Sequence, residues 1–110
     1  MERLVKGDVV VLPFPFSDLT ASKKRPALVV AVLAGDDCIL AQITSQERSN
    51  PDAIFLSKND FDQGGLPVQS NIRPDKLFTA DRNLVDYVAG RVQKGKLDGV
   101  TDAICGILRR

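Results

Sequence analysis

Ala27-Leu28-Val29-Val30-Ala31-Val32-Leu33, followed by Gly35-Asp36-Asp37 and then Cys38-Ile39-Leu40-Ala41-Gln42-Ile43-Thr44, decides the fold class. The first stretch is apolar without a break. Too short for a buried helix and rich in valine, it reads as a strand covered on both faces, as in a small barrel. Gly35-Asp36-Asp37 is hairpin-turn chemistry. In the strand that follows, side chains alternate, so Ile39, Ala41 and Ile43 share one face and Leu40, Gln42 and Thr44 the other.

Working outward, Val9-Val10-Val11-Leu12 is a first strand, opened by Gly7-Asp8 and expected to end at Pro13. Pro13-Phe14-Pro15-Phe16-Ser17-Asp18 cannot be regular helix, because each proline blocks one. A polar loop is expected from Ser17 to Arg25, and another from Ser45 to Asp52. Ala53-Ile54-Phe55-Leu56 is a fourth strand. Asn59 to Gly65 reads as a loop with a short helical turn. Two short strands are expected around Gln69–Arg73 and Lys76–Thr79, and Leu84–Val88 fits strand and helix equally. At the C-terminus Leu97, Val100, Ile104, Ile107 and Leu108 fall on one helical stripe. Gly99 and Gly106 weaken that helix by ~1 kcal/mol each relative to Ala, so it must depend on packing. The expectation is a single domain over residues 1–110: mostly β, a small antiparallel barrel with one amphipathic C-terminal helix docked on it.

Composition narrows the chemistry. Lys and Arg number 15 against 14 Asp and Glu, a net charge of +1, which argues against bulk electrostatic coating of nucleic acid. There is no histidine. Ser-His-Asp hydrolysis, histidine-based RNA cleavage and most zinc catalysis are thereby excluded. Asp36-Asp37 and Asp60-Phe61-Asp62 lack a fuller ligand set and read as turns, so no metal site is expected. Cys38 and Cys105 lie far apart and read as two buried thiols. The longest apolar run, Pro26 to Ala34, falls short of the ~20 residues a membrane helix needs, and Met1 to Lys6 has no signal-peptide core. A cytoplasmic location is expected, with no membrane partner.

Two short segments carry chemistry. Arg25 stands where a polar loop meets a buried strand, and Pro26 biases it to an extended conformation. Alone, it reads more readily as a solvated strand-edge arginine. Ile43-Thr44-Ser45-Gln46 sets three hydrogen-bonding side chains just past a strand, which alone reads as turn chemistry. Together they are stronger. In an antiparallel hairpin both segments lie at the same end of the sheet, where a guanidinium and a hydroxyl beside Lys23 and Lys24 suit a phosphate.

The lines GDVVVLPFPFSDLTASKKRPALVV (7–30), ILAQITSQ (39–46) and GGLPVQSNIRPDKLFTAD (64–81) resemble the MazF/PemK-like toxins of bacterial toxin–antitoxin pairs. The most specific parts are Gly7-Asp8-Val9, Arg25-Pro26 and Ile43-Thr44-Ser45-Gln46. The resemblance implies an SH3-like barrel of the CcdB/MazF type, a homodimer, and a cognate antitoxin as partner. It implies a metal-independent endoribonuclease, without cofactor, that cuts single-stranded RNA through a 2′,3′-cyclic phosphate. The family's catalytic arginine maps onto Arg25 and its threonine onto Thr44. Ser45 and Gln46 fall where the family lines its RNA groove, Lys23 and Lys24 stand beside it, and Ser70 matches a serine before the last core strands. The loop from Ser17 to Lys24 is richer in lysine than in many members, so the cut sequence does not carry over. Phe14-Pro15-Phe16 departs as well, and reads either as a cover over the barrel edge or as a stacking surface. A protein-binding toxin of the same fold that inhibits DNA gyrase, and a catalytically silent RNA-binding regulator, are the competing readings.

Overall fold

In the first strands, successive residues belong to alternate hydrophobic cores. Strand β1 is Asp8–Phe14, β2 Lys23–Val32 and β3 Asp37–Thr44. Val9, Leu28, Ala41 and Ile43 pack into one cluster; Val10, Leu12, Ala27, Val29 and Leu40 pack into the other. This is period-2 alternation with both faces covered. The computed structural model describes residues 3–14, 23–46 and 50–110.

The remaining elements are β4 (Ile54–Leu56), a 3-10 turn (Lys58–Asp60), β5 (Phe61–Gly64), β6 (Ser70–Asp81), a second 3-10 turn (Arg82–Leu84), β7 (Tyr87–Val92) and helix α1 (Lys94–Leu108). All seven strands form one antiparallel sheet in the order β4-β6-β3-β2-β1-β7-β5. The sheet curls into a half-barrel whose edge strands β4 and β5 do not pair with each other. Helix α1 covers one face, through Val100, Leu97 and Ile104 against Val9, Leu28, Ile43 and Ile72. Leu4, Val85 and Phe78 close the other, with the Phe78 ring edge-on to Phe14 at 5.0 Å.

The mostly β class and the C-terminal helix are as expected. Several boundaries differ, each for a physical reason. Pro13 does not end β1 but pairs with Lys24. The β1–β7 ladder stops at Val11, so Pro13 lies where no N–H is required. Lys23, Lys24 and Arg25 are strand rather than loop, paired with Phe14, Pro13 and Leu12. The two strands expected around residues 69–79 are one strand, β6. Gln42 pairs with Arg73 and Ala41 with Leu77, so Pro74-Asp75-Lys76 bulges out without breaking it. Strand β5 was expected as loop; it is drawn into the sheet by β7. There Gly64 and Gly90 stand opposite each other, and a Cβ on Gly90 would meet the Gln63 carbonyl oxygen at 2.4 Å. Leu84–Val88 resolves into a 3-10 turn and the start of β7.

The apolar stripe of α1 docks as far as Ile107, and Leu108 is 73% exposed. Nothing lies within 4 Å of where a Cβ on Gly99 or Gly106 would sit, so neither glycine is there for close packing. Polar clamps hold the helix instead. Lys96 Nζ donates to the Phe55 carbonyl at 2.9 Å, and Arg110 pairs with Asp52 at 3.0 Å. Cys38 is buried, with its thiol pushed up in pKa by burial and then by Asp37 and Asp81. Cys105 is exposed, against expectation, because it falls between stripe positions 104 and 107. At the start of β1, Gly7 takes φ 97°, a left-handed conformation that favours glycine. The turn lets the buried Asp8 carboxylate accept from Val5 N–H and Arg91 Nε, each at 2.9 Å. No helix among the described residues is long and apolar enough to cross a membrane.

Candidate phosphate and RNA interface

The hairpin register brings the two chemistry-bearing segments together. Ala27 pairs with Gln42 at the end of the β2–β3 ladder, and two residues further along the strands Arg25 and Thr44 line the same cleft from opposite sides. Lys23, Lys24, Arg25 and Pro26 from β2 and Ile43, Thr44, Ser45 and Gln46 at the end of β3 line one open cleft of about 230 Å³. Every expected site residue except Ser70 is therefore on its wall. Arg25 and Thr44 are half-buried; Lys23, Lys24, Ser45 and Gln46 are exposed.

The charges in this cleft are of one sign. Among the described residues that line it there is no carboxylate. Lys24 is partly neutralised from outside, by Asp86 at 2.9 Å. Among the described residues neither Lys23 nor Arg25 has an ion-pair partner. A guanidinium held half-buried without a carboxylate partner is a ready acceptor site for an anion. The Thr44 hydroxyl does make the turn contact that its position allowed: Gln46 N–H donates to Oγ1 at 3.2 Å. That bond uses the oxygen as acceptor and leaves the hydroxyl proton to donate elsewhere. Turn chemistry and a phosphate contact are thus compatible in one side chain.

Ser70 sits differently. It is 3% exposed and its hydroxyl donates to the Val68 carbonyl at 3.1 Å. It lines a neighbouring depression of about 210 Å³ with Val11, Leu66, Pro67, Val68 and Tyr87, which shares Lys24, Pro26 and Ser45 with the polar cleft. The sequence reading did not find this apolar annex. Its signal was available in Leu66-Pro67-Val68 and in the single tyrosine of the chain, Tyr87. It also missed Arg73 and Asp75, spaced two apart around Pro74. Arg73 donates to Asp75 from Nε at 3.0 Å and from NH2 at 2.8 Å. This fork holds the Asp75 carboxyl below the usual carboxylate range and raises the Arg73 guanidinium further. The Phe14 ring packs in the core; Pro15 and Phe16, the rest of that segment, lie outside the described residues. So do Ser17 to Ser22 of the polar loop expected from sequence. Among the described residues no group of three or more His, Cys, Asp or Glu is placed to hold a metal ion.

Residues 5–108 match the family of PemK-like, MazF-like toxins of type II toxin–antitoxin systems. Comparison with curated protein sequences returns no match. Among solved structures the chain is similar to MazF (Form-I) from Deinococcus radiodurans, with TM-score 0.78 and 19% identity over 100% of both chains. It is similar to an endoribonuclease in complex with its cognate antitoxin from a mycobacterial species, with TM-score 0.76, 15% identity, and 96% and 95% of the two chains covered. A third is Mycobacterium tuberculosis toxin MazF-mt6, with TM-score 0.72, 15% identity, and 93% and 96% covered. At these identities the structural likeness establishes the fold.

Proposed function

Because the chain belongs to the PemK-like, MazF-like toxin family of type II toxin–antitoxin systems, we propose that it is an endoribonuclease, cutting single-stranded RNA at the cleft between β2 and β3. The observation that carries this reading is the pairing of Arg25, free of any carboxylate partner among the described residues, with a Thr44 hydroxyl whose proton is available. A pure protein-docking surface needs neither.

RNA supplies its own nucleophile. The 2′-oxygen attacks the adjacent phosphorus, the bond to the 5′-oxygen breaks, and the products are a 2′,3′-cyclic phosphate and a 5′-hydroxyl. The proton lost by the 2′-hydroxyl and the proton gained by the 5′-oxygen balance. Negative charge builds on the non-bridging oxygens between these events. Arg25 meets that charge with a permanently ionised fork of donors, and Thr44 Oγ1–H adds a further donor. Lys23 and Lys24 attract and position the backbone without reading sequence. Ser45, Gln46 and Ser70 belong to the walls along which the neighbouring nucleotides lie.

As a toxin of this class it works in the cytoplasm, as a homodimer, and is silenced by a cognate antitoxin. The mycobacterial relative bound to its antitoxin supports that partner class. The test is cleavage of a long RNA by the purified protein in EDTA, with both ends of each cut mapped. Cuts at one short motif, leaving cyclic phosphate and 5′-hydroxyl ends and lost in Arg25→Ala, bear the proposal out. Intact RNA with inhibited gyrase, or with RNA bound and uncut, overturns it in favour of a protein-binding toxin or a silent regulator.

A further inference from the structure

The registers on the far side of β3 extend the site beyond its cleft. Thr44 pairs with Asn71 of β6, and Asn71 pairs with Phe55 of β4. With Arg25 across the cleft from Thr44, one row of side chains crosses four strands: Arg25, Thr44, Asn71, Phe55. Ile43, Ile72, Ile54 and Leu56, the strand neighbours of the last three, all pack on the helix side. The row therefore lies on the face turned away from α1. It ends at the open edge of the half-barrel, on a phenyl group that is 52% exposed.

Phe55 has no packing role that accounts for an aromatic there, since Ile54 and Leu56 already anchor β4 to the core. Its backbone is nonetheless firmly held. Lys96 Nζ donates to the Phe55 carbonyl at 2.9 Å and reaches Asp60 at 3.4 Å. Strands are spaced about 4.8 Å apart, which puts Phe55 two spacings, or ~10 Å, from Thr44. A stacked nucleic-acid strand rises about 3.4 Å per nucleotide, so ~10 Å is about three nucleotides, and fewer when the strand is stretched. The charges flanking the row are balanced, with Asp75 forked by Arg73 and Asp52, in the turn before β4, paired with Arg110. Among the described residues, a phosphate backbone following the row passes no unneutralised carboxylate there.

We propose that Phe55 is a stacking platform for a nucleobase of the bound RNA, displaced toward the β4 edge from the phosphate held by Arg25 and Thr44. The inference rests on the ribonuclease reading and adds a base contact outside the cleft. Stacking on an aromatic side chain reads no hydrogen-bonding edge, so it fixes the path of the strand and not its sequence.

The chain contains no tryptophan, so Phe55→Trp introduces a single indole at the contact. The probe is the oligoribonucleotide mapped in the cleavage assay, with one 2′-deoxyribose at the cut position so that it binds uncut. Its addition quenches the indole, and an abasic sugar at one position on the β4 side of the cut removes the quenching while the oligonucleotide stays bound. In parallel, Phe55→Ala raises KM for the natural oligonucleotide roughly 5- to 150-fold, the span that one lost base stack implies, with kcat and melting temperature little changed. Phe55→Tyr restores it. A Phe55→Ala protein with wild-type KM, or an unquenched indole with the oligonucleotide fully bound, overturns the platform while leaving RNA cleavage established. Failure of the wild-type protein to cut any RNA removes the ribonuclease reading itself, a separate result.

Discussion

The two faces of the central sheet come from the same strands and do opposite work. On the helix side stand Val9, Leu28, Ala41, Ile43 and Ile72, sealed by Val100. One residue along, at the end of the same strands, stand Arg25, Thr44 and Asn71, half-buried and polar. Strand alternation is what lets so short a chain do both. Each strand anchors its proposed site residue by burying the neighbours. The same geometry makes the two faces separable by experiment, because changes on one leave the register of the other in place.

The largest break comes from the helix side. Leu28 is fully buried, and Leu28→Ala is expected to cost about 2–5 kcal/mol of stability, read as a lowered denaturant midpoint, while the folded fraction keeps its rate of RNA cleavage. Arg25→Ala does the reverse. It lowers the cleavage rate ~10²–10³-fold, the usual cost of removing one preorganised donor, with the denaturant midpoint unchanged. A folded Arg25→Ala protein that cuts at the wild-type rate removes Arg25 from the chemistry. Thr44→Val is smaller, about 1.5–3 kcal/mol in the barrier if the hydroxyl bonds a charged phosphate, and Thr44→Ser returns most of it. If Thr44→Val cuts normally, Thr44 serves only the turn at Gln46.

Two gentler changes sharpen the contrast. Asp86→Asn releases Lys24 and should tighten RNA binding by a few-fold at low salt, an effect that fades as salt rises. Asp75 tests the fold through pH. Its carboxyl lies below its ordinary value of 3.8 because Arg73 donates to it. Its stabilising contribution is therefore complete above that value and lost as pH falls through the lowered one. Asp75→Asn should flatten the acid limb of the melting-temperature profile while leaving the neutral region nearly parallel to wild type.

The parts of the fold that local pattern dictates were readable. Ala27 to Val29 are buried as an unbroken apolar run requires, although Val32 and Leu33 at its far end are exposed, and Leu40 and Ala41 sort into opposite clusters as alternation demands. The parts set by distant pairing were not. Phe61 to Gly64 has no strand pattern of its own and becomes β5 only because the opposed glycines let β7 approach. Pro13 and Pro74 read as breaks, yet one pairs with Lys24 beyond the end of the β1–β7 ladder and the other lies in a bulge. The cleft was legible because both of its walls belong to one hairpin, whose turn fixes their meeting. Asn71 and Phe55 were not, because their alignment with Thr44 passes through β6, which is joined to β3 across 25 residues of chain, 45–69.

The clamp from Lys96 to the Phe55 carbonyl bears on self-association. A half-barrel has two open margins, each with unpaired backbone groups that invite a foreign strand. At the β4 margin the strand is only Ile54–Leu56, and one of its carbonyls already accepts from a lysine. An incoming strand finds little ladder to extend and a half-buried cation to displace. The protein can thus keep its sheet open beside the cleft and still resist edge-to-edge growth into fibres.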